Sequence, residues 1–85
     1  MKVYGSPLCP DCVNADAILE AHGIHREDYE YVDVTAAITN LREFIYFREA
    51  NPAAFDPIRP NRAVGIPCFI LDDGTITFDV NDVIK

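Results

Sequence analysis

Ser6-Pro7-Leu8-Cys9-Pro10-Asp11-Cys12 is the stretch from which the fold of this chain can be read. It is a C-x-x-C motif set between a short apolar run, Val3-Tyr4, and an apolar-periodic segment that reads as a helix. Proline suits the first helical position, where its missing N–H would have no partner anyway, so Pro10 marks the helix start and Cys9 its N-cap. A thiolate at an N-cap faces free N–H groups and the positive end of the helix dipole, the setting that activates cysteines. Cys12 follows one turn later on the same face and deeper, placed to displace a mixed disulfide formed at Cys9. The same spacing also serves as half of a zinc site, and the motif alone does not separate the two uses. A structural zinc site wants four ligands, however, and the chain has no second C-x-x-C. Its two histidines, His22 and His25, fall at the far end of the helix.

Composition narrows the function classes. Eighty-five residues make a single domain, residues 1–85, with a modest core. A hydrophobic content of 49%, with four tyrosines and five phenylalanines, predicts a packed globule. The net charge of −7 leaves no basic footprint for nucleic acid or an anionic membrane surface. It also predicts mild steering toward basic partners. Met1-Lys2-Val3-Tyr4-Gly5 contains no apolar signal core, and an odd cysteine count of three fits a reducing compartment, so a cytoplasmic location is expected. A monomer is expected.

Outward from the motif, Lys2 to Tyr4 reads as a short buried strand ended by Gly5-Ser6-Pro7. From Pro10 to His22, Val13, Ala17, Ile18 and Ala21 recur at helical spacing, and Gly23 supplies the C-cap. Asp28 to Val34 alternates charged and apolar residues, as a half-buried strand does. Thr35 to Ala50 returns to a helical pattern, with Ile38, Leu41, Phe44 or Ile45, and Phe47 inward and Arg42, Glu43, Arg48 and Glu49 outward. Thr39, or Asn40 with Glu43, is the expected cap. Asn51-Pro52 starts one more helical turn to Asp56, after which Pro57, Pro60 and Asn61 predict an irregular stretch. Ile66 to Leu71 is an apolar strand, Asp72-Asp73-Gly74 a hairpin turn, Thr75 to Phe78 the returning strand, and Val80 to Ile84 a final helical turn capped by Asp79. The order β-α-β-α-β-β-α predicts an α/β fold. Its mixed four-stranded sheet has two parallel strands, an antiparallel hairpin and helices on its faces.

The C-P-x-C at the head of the first helix, Gly65-Ile66-Pro67 opening the third strand, and the hairpin and short helix that follow together resemble the glutaredoxin family of the thioredoxin fold. The resemblance covers nearly the whole chain. It implies a thiol-disulfide oxidoreductase with Cys9 and Cys12 as the catalytic pair, supported by Pro10, Asp11, Ile66 and Pro67. It also implies a cis Ile66–Pro67 bond and an Ile66 backbone that pairs with an incoming substrate strand; the plainer alternative is an edge-strand proline. No bound cofactor is implied, glutathione being an electron donor that would lie against Ile66, Asp79, Val80 and Asn81. Partners would be disulfide-containing proteins or small molecules, with glutathione or a thioredoxin reductase as reductant.

Several positions depart from the family pattern. Ser6 stands where a lysine usually helps hold glutathione, and Phe78-Asp79 stands where two glycines leave room for its γ-glutamyl end. A carboxylate at Asp79 would compete for the N–H groups of the last helix, and Asn81 replaces an aspartate that meets the ligand's amine. Arg59 or Arg62 would supply a replacement charge unless both are simply solvated. Asp11 replaces the usual aromatic or apolar residue; beside Cys9 it disfavours a thiolate and predicts a reducing couple, whereas pointing into water it would change little. Cys68 is either a buried structural thiol or a third redox thiol or metal ligand grouped with Cys9 and Cys12. That last option defines a rival function, a metal or iron–sulfur carrier. A low-turnover redox-sensing adaptor is the other rival.

Overall fold

The computed structural model describes all residues from 1 to 85. Strand β1 (Lys2–Gly5) leads through helix α1 (Pro10–Ala21) and a 3-10 turn (Arg26–Asp28) to β2 (Glu30–Asp33). Helices α2 (Ile38–Ala50) and α3 (Pro52–Phe55) and a 3-10 segment (Asp56–Asn61) then precede β3 (Cys68–Ile70), β4 (Ile76–Thr77) and a last 3-10 turn (Val80–Asp82). The sheet order is β2-β1-β3-β4. β1 and β2 are parallel, as a helical crossover requires, whereas β3 runs antiparallel to both β1 and β4.

Alternation along the two central strands sends successive side chains to opposite faces and so builds two cores. Val3 and Phe69, paired in register, pack with Ala15, Leu19 and Val80 beneath α1. Tyr4 and Cys68, also paired, pack with Val32, Val34, Phe44 and Phe55 beneath α2 and α3. An aromatic cluster fills the second core: Phe55 meets Phe44 at 6.0 Å, Phe47 at 6.1 Å and Phe78 at 5.1 Å between ring centroids, all edge-on.

The inward stripe of α1 differs from the expected one. Cys12, Ala15 and Leu19 are buried, while Val13 is 53% exposed and Ala17 and Ala21 face solvent. Counting Cys12 only as a reactive group hid its second role as a small apolar residue of the core. Helix α2 starts at Ile38 because Asp33 captures the chain ahead of it, accepting from Thr35 N–H at 2.8 Å and Thr35 Oγ1 at 2.7 Å. Such local bonds compete with helix formation. Its N-cap is Ala37, so neither Thr39 nor Asn40 caps it; Asn40 Nδ2 instead donates to the Asp33 carbonyl at 2.9 Å. Phe44 is its buried residue, whereas Ile38 and Ile45 are exposed. Arg48 does not project into water: its guanidinium lies over the Phe55 ring at 5.7 Å and donates to the Ala63 carbonyl at 3.3 Å. The stretch expected to be irregular, 56–61, is a 3-10 helix, ended by Arg62 in the left-handed region at φ 57°. Pro57 and Pro60 hold the backbone at the φ such a helix uses.

Candidate active site

A hydroxyl-anchored turn places the first cysteine. Ser6 is buried, its Oγ sits 2.7 Å from Thr35 Oγ1, and it accepts the Leu8 N–H at 3.1 Å. The Cys9 N–H closes the turn on the Ser6 carbonyl at 3.2 Å. Helix α1 begins at once, with Pro10 in its first turn and Cys9 as an N-cap in extended conformation, and the first helical bond runs from Val13 N–H to the Cys9 carbonyl at 3.1 Å. No side chain caps the helix. The Asp11 and Cys12 N–H groups have no backbone acceptor either, so the first turn that follows Cys9 keeps free donors.

The two thiols differ in environment. Cys9 is partly exposed, whereas Cys12 is 2% exposed, and both are free thiols. Burial pushes the Cys12 thiol up to about 12; a backbone hydrogen bond at Ser6 offsets this in part, and the nearby Cys9 sulfur pushes the same way as burial. The accessible sulfur is therefore the one suited to attack a substrate, and the covered one to act after it.

A groove of about 630 Å³ opens beside Cys9. Asp11, Ile66, Pro67, Asp79, Val80 and Asn81 all line it, whereas Pro10, Cys12 and Cys68 do not. The Ile66–Pro67 bond is cis. Gly65 reaches it at φ +95°, where a Cβ would stand 2.6 Å from a ring carbon of Phe55, so the loop is seated directly on the aromatic core. Asp79 caps the 80–82 turn with its own carboxylate, accepting from Asn81 N–H at 2.9 Å and Asn81 Nδ2 at 3.0 Å. Thr77 and Asp82 brace the same segment through a 2.6 Å bond. Neither arginine proposed as a replacement charge lines the groove, and Arg59 is paired with Asp56 at 2.8 Å.

Cys68 stands apart from the other two. It packs with Tyr4 and Phe44 on the α2 side of the sheet, opposite α1, at 0% exposure. Burial alone pushes its thiol up to about 12; neither Cys9 nor Cys12 acts on it. A third redox thiol or a three-cysteine ligand set is therefore not what the sheet builds, because the pleat sends residue 68 away from α1. No group of three His, Cys, Asp or Glu side chains is arranged to hold a metal. His22 and His25 are exposed at and beyond the C-terminal end of α1, bonded to the Ile18 carbonyl and to Glu20. Phe55 is a support with no signal in the sequence, whereas Ser6 and Gly65 stand in motifs already noted and gain supporting roles that those motifs did not give them; only Ser6-Pro7 carried a local signal, that of a hydroxyl-led turn.

The buried thiols set an alkaline limit on stability. Cys12 and Cys68 keep their protons to higher pH when folded than when unfolded, so the folded chain binds more protons above about pH 9. Their contribution is full below the ordinary thiol range and is lost as pH rises toward 12. Urea midpoints measured at pH 7.5, 9 and 10.5 are expected to fall across that series, and Cys68→Ala is expected to flatten the fall. An unchanged slope in that variant would remove Cys68 as a contributor.

The glutaredoxin family model matches residues 1–46. An uncharacterized protein of Haemophilus influenzae (strain ATCC 51907 / DSM 11121 / KW20 / Rd) is 33% identical over 79 residues, which covers 93% of this chain and 87% of that protein. No solved structure matches the chain significantly. The matched half contains β1, the dithiol, α1 and β2, and the architecture continues the same plan through β3 and β4. By sequence and by its thioredoxin-like sheet alike, this chain belongs to the glutaredoxin family.

Proposed function

We propose that the protein is a thiol-disulfide oxidoreductase that works as a disulfide reductase through Cys9 and Cys12. The observation that carries this reading is the unequal burial of two thiols one helical turn apart, the partly exposed one opening on a groove. Cys9 thiolate attacks a substrate disulfide, forming a Cys9–substrate disulfide and expelling the other substrate sulfur as a thiolate. Cys12 then loses its proton and displaces the second substrate thiolate, leaving a Cys9–Cys12 disulfide. Two electrons pass from the protein dithiol to the substrate. Once Cys9 is in the mixed disulfide its charge is gone, which removes one of the influences holding the proton on Cys12.

The donor that regenerates the dithiol is glutathione or a thioredoxin reductase. The self-capped Asp79 turn favours the second, since a γ-glutamyl carboxylate would meet N–H groups that already have an acceptor. A cytoplasmic, reducing setting agrees with an odd number of free cysteines. No helix is long and apolar enough to cross a membrane. Turnover of a protein disulfide, coupled in parallel to glutathione with its reductase and to a thioredoxin reductase, tests the assignment. Activity is expected with the latter in excess, and no turnover in either system would favour a sensing role over a reductase.

A further inference from the structure

The walls of the groove beside Cys9 carry charge of one sign. Asp11 enters from the first turn of α1 and Asp79 from the cap of the 80–82 turn, and no lysine, arginine or histidine lines the groove at all. Neither carboxylate takes part in an ion pair. Four of the chain's seven lysines and arginines are paired elsewhere, Lys2 with Glu30 and Glu43, Arg26 with Asp16, Arg59 with Asp56 and Lys85 with Asp82, and the other three, Arg42, Arg48 and Arg62, do not line the groove. Between the acids the lining is apolar, from Ile58, Val64, Ile66 and Phe78. The Ile66 N–H and carbonyl take no backbone partner, so an extended segment can add to this edge. A volume of about 630 Å³ exceeds what one cysteine side chain fills and leaves room for its neighbours.

We propose that this groove selects disulfide-bonded peptide segments with a lysine or arginine next to the reacting cysteine, and that Asp11 and Asp79 make the selection. The proposal rests on the oxidoreductase reading above and adds the chemistry of its substrate. A cation beside the scissile disulfide meets two carboxylates that have no cationic partner, while an apolar neighbour on the other side meets Ile66 and Phe78. An acidic neighbour meets the same carboxylates and is repelled. The chain's net charge of −7 acts in the same direction at longer range, steering basic segments toward it.

The test uses the full chain and three peptide disulfides, each a homodimer through one cysteine and identical except for lysine, glutamine or glutamate beside it. With pre-reduced protein in a single turnover, the expected order of the second-order rate constant is lysine, glutamine, glutamate, with a lysine-to-glutamate ratio of about 10 or more at low salt. The ratio is expected to shrink as salt brings the screening length below about 10 Å. In Asp11→Asn/Asp79→Asn, where asparagine can still cap the turn, the ratio should collapse toward one. Asp11→Lys, which leaves that cap untouched, should reverse the order. Equal rates on the three peptides, or a ratio that survives the double substitution, would overturn the charge selection while leaving the reductase reading intact. Reduction of none of the three would sink both.

Discussion

Cys9→Ser is expected to lower disulfide reduction by at least about 10³-fold, the scale on which loss of a nucleophile is felt. Cys12 cannot take its place. It is 2% exposed, and burial holds the proton on its thiol well above neutral pH. Cys12→Ser should behave differently: the first attack still occurs, the resolving step does not, and the substrate stays attached to Cys9. Intact mass after one equivalent of a disulfide peptide is the measurement, with an adduct of one peptide half that dithiothreitol removes. An adduct on Cys12 in the Cys9→Ser protein, or full activity in that protein, would reverse the roles assigned here.

The parts of this site that could be read from the sequence are those set by local rules. Pro10 and the free N–H groups around it fix a helix start, and that places Cys9 at the cap without reference to the rest of the chain. Asp79 as the cap of the last turn is equally local, since a short acidic side chain two residues before Asn81 finds its N–H wherever the turn sits. The parallel β1–β2 pair and the antiparallel β3–β4 pair followed from one helical crossover and one Asp-Asp-Gly hairpin, whereas the β1–β3 pairing that joins them into the observed order has no local signal. What local rules do not decide is which way a residue faces when two faces would accept it. Cys68 looked free to join the dithiol until the β1–β3 register opposed it to Tyr4 and sent it under α2. Val13 and Cys12 are adjacent on α1, and only the position of Val3 and Phe69 beneath the helix decides which of them is covered. Arg48 has an outward-looking sequence context, but the return of residue 63 and the ring of Phe55 give its guanidinium something to cover.

Phe55→Ala is expected to be the most destabilising single change, costing about 3–5 kcal/mol as a buried aromatic truncation. Against the roughly 4–13 kcal/mol available to a domain of this size, that removes about a quarter of the total or more. Phe55 is wholly buried and touches three other aromatic rings, so its loss leaves a void that none of them can fill without leaving its own contacts. The effect should reach the site as well, because the same ring is the seat of Gly65, one residue before Ile66 and Pro67. Gly65→Ala is expected to cost about 2–4 kcal/mol, part from a left-handed φ that alanine resists and part from its Cβ striking the ring. The two parts can be separated by a double-mutant cycle read from urea midpoints. With the ring gone its collision vanishes, while the backbone cost and a 3.0 Å approach to Ile58 Cδ1 remain, so the pair should cost less than the sum by about 1–2 kcal/mol. Strict additivity would mean that the Gly65 loop does not rest on Phe55, and the groove beside Cys9 would then need another floor.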